Sequence, residues 1–236
     1  MPVRAVTFDF WCTLFRDANS EARQQIRIDA FAAATGAAAD EANEALKVAW
    51  AEFDRVHREE QRTLRPEDAV HIAADVLGVV VAPSVVTELA DVFATAILVH
   101  SAEPVEGALD AVRAAAARRP VGVVSDTGVS PGRSLRQLLD RHDFTRSLRS
   151  LIFSDEVGVS KPQAPMFESS ARDLSVEPQE LLHIGDLEYS DVAGAKACGA
   201  KAALFAGVNA GHANETRADY VFHSWREFLD ALPKLL

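Results

Sequence analysis

A change of pattern along the chain constrains the fold most strongly. Residues 3–8 form an apolar, β-branched run that predicts one short buried strand. After Pro104, short apolar runs alternate with segments of helical periodicity. This alternation predicts a parallel sheet with helices on both faces, because successive parallel strands are joined by right-handed helical crossovers. The expected strands are 121–124, 151–153, 181–184, 202–205 and 220–222, and the expected helices are 107–118, 131–141, 165–174, 190–198 and 224–235.

Between the first strand and the rest of the sheet lies a long segment without strand signals. It is rich in Ala, Glu, Arg and Leu, and its apolar positions follow a helical period. Breaks at Gly36, at Arg65-Pro66 and at Gly78 to Pro83 predict four helices, near 20–34, 40–60, 66–78 and 84–99. We therefore predict a discontinuous α/β core of residues 1–16 and 103–236, with residues 17–102 as an inserted all-α domain.

Charge and composition exclude several classes of function. The 236 residues include 24 Lys plus Arg and 35 Asp plus Glu, so the net charge is −11, which argues against nucleic acid or an anionic membrane as the partner. No apolar run is long enough to cross a bilayer, and the first residues lack a signal-peptide pattern. The two cysteines do not form a CxxC motif. We expect a cytoplasmic protein, and the sequence carries no signal for its oligomeric state.

Polar residues follow each central strand of the predicted sheet, where ligands bind in open parallel sheets. Taken one at a time, each has an ordinary explanation: Asp9 caps a turn, Asp191 caps the next helix and Lys161 is solvated. Together they place several acids and one amine at one edge, where the carboxylates repel each other unless a cation intervenes. Oxygen ligands from Asp9 and Asp186 suit Mg²⁺. The residues concerned are Asp9, Thr13, Ser125, Asp126, Thr127, Lys161, Asp186 and Asp191.

Four motifs in this order resemble the haloacid dehalogenase-like hydrolase superfamily, in its subclass with a helical cap. FDFWCTLF supplies Asp9 and Thr13, VGVVSDTG supplies Ser125, VGVSKPQAPMF supplies Lys161, and GDLEYSD supplies Asp186 and Asp191. The resemblance covers essentially the whole chain. It implies a Rossmann-like core, with residues 17–102 as the cap.

The resemblance also implies a role for each residue. Asp9 would attack phosphorus and form an aspartyl-phosphate, with Lys161 supporting catalysis. Mg²⁺ would be held by Asp9, Asp186 and the backbone carbonyl of Trp11, while Asp191 would orient the metal's waters or Lys161. The substrate would be a small phosphorylated molecule. Its phosphoryl oxygens would be bound by Thr13, Ser125, Asp126, Thr127 and Lys161.

Trp11 departs from the family's phosphatase pattern. Phosphatases of the family carry a second Asp at this position, which protonates the leaving oxygen, and an indole cannot exchange a proton at neutral pH. A positioned acid or base contributes about 10²–10⁴-fold to the rate. The first interpretation is therefore a phosphatase with a displaced acid, for which Asp126, Glu188 or a cap residue are candidates, or one acting on leaving groups that need little protonation.

Three other interpretations stay open. Haloacid dehalogenases of the family carry an aromatic residue at the position of Trp11, attack carbon and use no metal. The phosphonate-cleaving branch uses a cap lysine, and Lys47 is the only lysine in this cap. A catalytically weak member could bind a phosphorylated ligand without turnover. The retained GDxxxxD motif favours the phosphatase, with the dehalogenase second. His57 and His183 are interpreted as packing residues.

Overall fold

The chain forms eight strands and ten α-helices, and the computed structural model describes all residues from 1 to 236. The strands are β1 (Ala5–Phe8), β2 (Phe15–Arg16), β3 (Glu103–Pro104), β4 (Val121–Ser125), β5 (Ser150–Phe153), β6 (Leu181–Gly185), β7 (Lys201–Phe205) and β8 (Tyr220–Phe222). The helices are α1 (Ser20–Thr35), α2 (Ala39–Arg55), α3 (Pro66–Leu77), α4 (Pro83–Val99), α5 (Ala108–Ala116), α6 (Gly132–Arg141), α7 (Ser154–Val157), α8 (Ala164–Asp173), α9 (Ala193–Ala197) and α10 (Trp225–Leu235).

Six strands form one parallel sheet in the order β5-β4-β1-β6-β7-β8. The first strand of the chain therefore lies at the centre, and Phe8 pairs with Val123 of β4 and Ile184 of β6. Because the strands are parallel, the carboxyl ends of β1, β4 and β6 reach the same edge. The predicted Rossmann-like α/β sheet is confirmed.

Helices cover both faces of this sheet. One face packs on α5, α6 and α10 in a cluster of 27 buried residues, in which the Phe8 ring lies 5.6 Å from that of Trp225 and 6.1 Å from that of Phe228. The other face packs on α8 and α9 in a cluster of 12 buried residues that includes Met166 and Phe167. These two apolar layers fix the strands whose ends carry the polar residues.

Helices α1 to α4 pack around a third cluster of 13 buried residues, which includes Phe31, Leu46 and Phe93. Helices α1 and α3 end at Gly36 and Gly78, whose φ angles of 74° and 65° lie in the left-handed region that favours glycine. The four predicted helices are present in the predicted order.

Two predicted helices differ in detail from the observed elements. The helix predicted over 40–60 is α-helical to Arg55 and continues as a π-helical turn, Val56–Glu60. The helix predicted over 190–198 begins as a π-helical turn, Glu188–Val192, before α9. In the second turn the Leu187 carbonyl accepts from Val192, five residues on, at 3.2 Å. Such turns are common at functional sites.

Two short strands and one short α-helix were not predicted. Strands β2 and β3 pair antiparallel and join the helical insertion to the core, and their two-residue length leaves no alternation to detect. Helix α7 is a single turn directly after β5. No helix has the combination of length and apolar character that crossing a membrane requires.

Candidate active site

Three aspartates meet at the carboxyl edge of the sheet. Asp9 follows β1, Asp186 follows β6, and Asp191 lies in the π-helical turn after Asp186. Carboxylate oxygens from the three side chains all lie within 4.8 Å of one another, and the residues are only 5%, 4% and 1% exposed. The edge thus gathers three nearly buried acids in one place.

Lys161 joins two of these acids. Its Nζ lies 2.6 Å from Oδ1 of Asp9 and 2.6 Å from Oδ1 of Asp191. Burial alone would lower the pKa of Lys161, but the charges of Asp191 and Asp9 outweigh it, so the pKa is raised and the amine stays protonated. The backbone N–H of Lys161 donates to Oδ1 of Asp126 at 2.8 Å, which ties its loop to the end of β4.

Asp191 is held by partners on both carboxylate oxygens. Its Oδ2 accepts from the backbone N–H of Leu187 at 2.9 Å, and Nε2 of His183 lies 3.0 Å from Oδ1. Burial would raise the pKa of Asp191, but Lys161 and His183 hold it well below its ordinary value. With both oxygens engaged, Asp191 is suited to positioning Lys161.

A hydrogen-bonded chain extends from Asp191 into the sheet. Thr7 of β1 and His183 of β6 are paired in register, and Oγ1 of Thr7 lies 2.9 Å from Nδ1 of His183. Since an ionised carboxylate only accepts, Nε2 of His183 donates to Asp191 and Nδ1 accepts from the Thr7 hydroxyl. The chain therefore runs from Thr7 through His183 and Asp191 to Lys161, and ends at Asp9.

The site carries more negative charge than Lys161 can neutralise. Burial raises the pKa of Asp9 to about 6, with Lys161 opposing and Asp191 adding to the rise. Burial, Asp9 and Asp191 raise the pKa of Asp186 to about 7. Oxygen-only donors that resist ionisation together form a fitting site for a hard divalent cation.

Free oxygens remain for such a cation. Oδ2 of Asp186 accepts from Nδ2 of Asn209 at 2.8 Å, while its Oδ1 makes no hydrogen bond. Oδ2 of Asp9 also makes none. These two residues are the ones best placed to hold a metal, and the Trp11 carbonyl remains a predicted third ligand.

Three hydroxyl residues predicted to bind phosphate have different surroundings. Oγ1 of Thr13 is buried with no hydrogen-bond partner. The buried Ser125 donates only to the adjacent carbonyl of Asp126, at 3.1 Å. The Thr127 hydroxyl donates to Oδ1 of Asp155 in α7 at 2.8 Å. It would have to break this hydrogen bond to donate to a phosphoryl group. The unsatisfied Thr13 hydroxyl therefore fits an anionic oxygen best.

A histidine of the helical insertion faces the end of β4. His57, in the π-helical turn after α2, has its Nε2 3.8 Å from Oδ2 of Asp126. Burial and the Lys161 charge lower the pKa of His57, whereas burial raises the pKa of Asp126 to about 6. These opposite shifts bring the pKa values of an imidazole and a carboxyl group closer together than their ordinary values are.

Trp11, Glu188 and Lys47 do not supply the missing proton transfer in this structure. The Trp11 ring packs edge-on against Phe10, with centroids 5.0 Å apart. Glu188 accepts from Thr216 and Arg217, and these bonds outweigh burial and lower its pKa, so it is a poor acid. Lys47 is exposed and pairs with the exposed Glu44 at 2.7 Å, so it is poorly suited to act as the lysine of a phosphonate-cleaving enzyme.

Sequence reasoning missed His57 and His183 as residues of this site. His183 had a usable signal, because a polar ring in a fully buried strand requires hydrogen-bond partners. Thr7 in the buried strand β1 gives the same signal. His57 had none, since its place above Asp126 depends on how the insertion docks.

The protein has a Rossmann-like parallel α/β sheet, and its aspartate–lysine cluster lies at the carboxyl ends of the strands, where enzymes of this fold class have their active sites. The family described as haloacid dehalogenase-like hydrolase matches residues 3–199, so the chain belongs to that family. Three of the four motifs supply the residues of the aspartate–lysine cluster, and the second motif supplies Ser125.

Relatives that match part of the chain in sequence are named as phosphatases. A glyceraldehyde 3-phosphate phosphatase from Pyrococcus abyssi is 33% identical over 85 residues, which cover 36% of this chain and 34% of that protein. The chain thus matches about a third of the relative's length.

Solved structures share the fold over nearly the full chain. A 2-haloacid dehalogenase from Pseudomonas syringae pv. Tomato DC3000 has a TM-score of 0.73 and 18% identity, with 99% of this chain and 100% of that one covered. The HAD-hydrolase YfnB from Bacillus subtilis, bound to magnesium, has a TM-score of 0.68 and 14% identity, with 98% and 99% covered.

Proposed function

We propose that this protein is a Mg²⁺-dependent phosphatase that acts on a small phosphorylated molecule through an aspartyl-phosphate at Asp9. The observation that carries the proposal is the cluster of Asp9, Asp186 and Asp191 around Lys161. Asp186 has no salt-bridge partner, and its burial beside Asp9 is costly without a cation. The phosphatase relative from Pyrococcus abyssi supports the same reaction class.

In the proposed reaction, the Asp9 carboxylate attacks phosphorus, and the bond from phosphorus to the leaving oxygen breaks as that oxygen takes a proton. Water then attacks the phosphorus of the aspartyl-phosphate, gives up a proton and releases inorganic phosphate and Asp9. Lys161 keeps Asp9 ionised and neutralises phosphoryl charge. Mg²⁺, held by Asp9 and Asp186, would supply charge neutralisation at the phosphoryl group.

We assign the proton transfer that Trp11 cannot perform to His57 and Asp126. The pair lies at the end of β4, directly after Ser125, and one partner comes from the helical insertion. An imidazole and a carboxyl group can each give up or accept a proton, and burial raises the pKa of Asp126 to about 6. The substrate's leaving group would then lie between β4 and the insertion.

Residues 17–102 act in this proposal as a cap on the core. The Gln61 carbonyl accepts from the backbone N–H of Ser160 at 2.8 Å and from Nε2 of Gln163 at 2.7 Å. The Thr63 and Ser154 hydroxyls lie 2.5 Å apart. These contacts close the insertion over the Lys161 loop, and the β2–β3 pair is the natural hinge.

A substrate panel tests the reaction class. We expect release of phosphate from p-nitrophenyl phosphate and acetyl phosphate with Mg²⁺, and none when the metal is chelated. The dehalogenase remains the second candidate because Trp11 is aromatic and halide leaves without a proton. Halide release from 2-chloropropionate without metal would replace the phosphatase proposal, and binding without turnover would indicate a ligand-binding member.

A pair of leaving groups tests the role of His57. The variant His57→Ala should lower kcat/KM for an alkyl phosphate by roughly 10²-fold or more, because an alkoxide leaving group needs a proton. The value for p-nitrophenyl phosphate should fall much less, since that leaving group needs little protonation. His71→Ala, a cap histidine on α3, is the matched control. Equal losses on both substrates would remove His57 from proton transfer.

A further inference from the structure

A small cavity lies between the cap helix α1 and two loops of the active site. It has a volume of about 240 Å³, and its walls include Trp11, Gly128, Arg23 and Arg27. Trp11 is two residues after Asp9, and Gly128 is three residues after Ser125. The loops that carry the proposed nucleophile and a phosphoryl-binding serine therefore also form this cavity.

Arg27 is buried in the wall of the cavity without a carboxylate partner. The residue is 6% exposed, and no carboxylate lies within 4.0 Å of its nitrogen atoms. Nε and Nη2 share one acceptor, the Phe93 carbonyl, at 3.3 Å each, and Nη1 has no acceptor. The guanidinium lies 5.7 Å from the ring centroid of Trp50. Burial of an unpaired cation is costly, so an anionic partner is missing.

Arg23, the second arginine of the cavity, is already neutralised. It pairs with Asp17 and also donates to the His100 carbonyl at 2.9 Å. Burial and the nearby Arg23 lower the pKa of Arg27 to about 10, which leaves Arg27 charged at neutral pH. The cavity thus holds two guanidinium groups and one carboxylate, an excess of one positive charge in a protein of net charge −11.

We propose that Arg27 binds a carboxylate of the substrate, so that the substrate is a small phosphorylated carboxylic acid. This inference rests on the proposed phosphatase function and names its substrate class. One unpaired cation matches the single charge of a carboxylate better than the double charge of a second phosphate. The planar fork of an arginine also fits a carboxylate through two parallel hydrogen bonds.

The position of the cavity gives the substrate its orientation. The phosphoryl group lies on Asp9, and the carboxylate extends past Trp11 toward α1. An aromatic ring at residue 11 then serves as a wall of this second site, in a place where an aspartate would repel the carboxylate. The substitution that removes the usual acid thus favours an anionic substrate.

Two matched phosphate esters test this inference. Phosphoglycolate carries a carboxylate, and 2-hydroxyethyl phosphate carries a hydroxyl in its place. With Mg²⁺ we expect kcat/KM for phosphoglycolate to exceed that for 2-hydroxyethyl phosphate by roughly 10- to 100-fold, as expected for a charged hydrogen-bonded pair. Arg27→Met should abolish this preference, so that the two esters have similar kcat/KM values. Arg226→Met, which alters an exposed arginine of α10, is the control.

The outcomes separate the two proposals. An unchanged preference in Arg27→Met, or an equal loss on both esters, would overturn the carboxylate site while the phosphatase stands. If no ester is turned over, the phosphatase fails, and binding is then measured on the Asp9→Asn variant by tryptophan fluorescence. Binding of phosphoglycolate that is lost with Arg27 would support the site, and binding that survives Arg27→Met would overturn it. Arg27→Lys keeps the charge without the fork and provides a second variant should Arg27→Met fail to fold.

Discussion

His183 and Lys161 bind the same oxygen of Asp191. Nε2 of His183 lies 3.0 Å and Nζ of Lys161 lies 2.6 Å from its Oδ1. The sheet thus fixes the direction of a carboxylate that in turn fixes the lysine beside Asp9. Residues inside the sheet therefore help to position the side chains of the active site.

Replacement of His183 tests this support. His183→Leu should lower kcat by roughly tenfold or more, because Asp191 loses the donor that orients it. His183→Gln retains an N–H donor and should recover much of the loss. Steady-state kinetics with Mg²⁺ provides the measurement, and equal activity of the wild type and His183→Leu would contradict the role.

Gly185 is required by the approach of Asp191. A Cβ at residue 185 would stand 2.2 Å from Cγ of Asp191, whereas one at Gly128 would meet only a Phe53 carbon at 3.8 Å. Gly185→Ala should therefore lower the free energy of unfolding by about 1–3 kcal/mol and displace Asp191. Gly128→Ala should change it by about 0.5 kcal/mol or less. Urea unfolding measures both, and equal effects would refute the close contact.

Thr13 offers a separation of stability from activity. Its buried hydroxyl has no partner in the protein, so Thr13→Val breaks no internal hydrogen bond and should leave the melting temperature unchanged or higher. Loss of a donor to a phosphoryl oxygen should lower kcat/KM by roughly tenfold. A Thr13→Val variant that loses stability but keeps its activity would show that the hydroxyl stabilises the fold and does not bind the phosphoryl group.

Magnesium binding should depend on pH through Asp186. Without metal, the folded protein keeps a proton on Asp186 up to about pH 7 and on Asp9 up to about pH 6, above their ordinary values. The stability gained from these protons is lost as pH rises through those values, and Mg²⁺ then takes their place. Affinity should therefore rise about tenfold from pH 6 to pH 8, with proton release near pH 7.

Calorimetry in two buffers of different ionisation enthalpy measures both effects. Asp186→Asn is the control and should remove most of the binding. An affinity independent of pH between 6 and 8 would contradict competition between protons and the metal.

The sequence predicted the fold well because its strands are short apolar runs and its helices follow a helical period. The central strand Ala5–Phe8 is uniformly buried, and α10 buries Trp225, Phe228 and Leu232 at helical spacing. The two-residue strands β2 and β3 have no period, so the connection between insertion and core was not visible. The π-helical turns depend on side-chain bonds such as that of Asp191 to Leu187.

The convergence of site residues was predictable where they follow strands and not where they come from the helical insertion. Asp9, Asp186 and Lys161 converge because parallel strands end at one edge. His57 and Arg27 reach the same region through helix packing, and nothing in their local sequence marks that position. Thr127 was expected to bind phosphate because it follows a strand; its hydroxyl donates to Asp155, and phosphate binding stays a prediction.

The central claim is that Asp9 and Asp186 share one divalent cation while Asp9 receives the phosphoryl group. A crystal structure of the protein with Mg²⁺ and beryllofluoride tests it most directly. We expect the beryllium bonded to an oxygen of Asp9, and Mg²⁺ bound by Asp9, Asp186 and the Trp11 carbonyl. Beryllofluoride absent from Asp9, with no metal between the two carboxylates, would contradict the account.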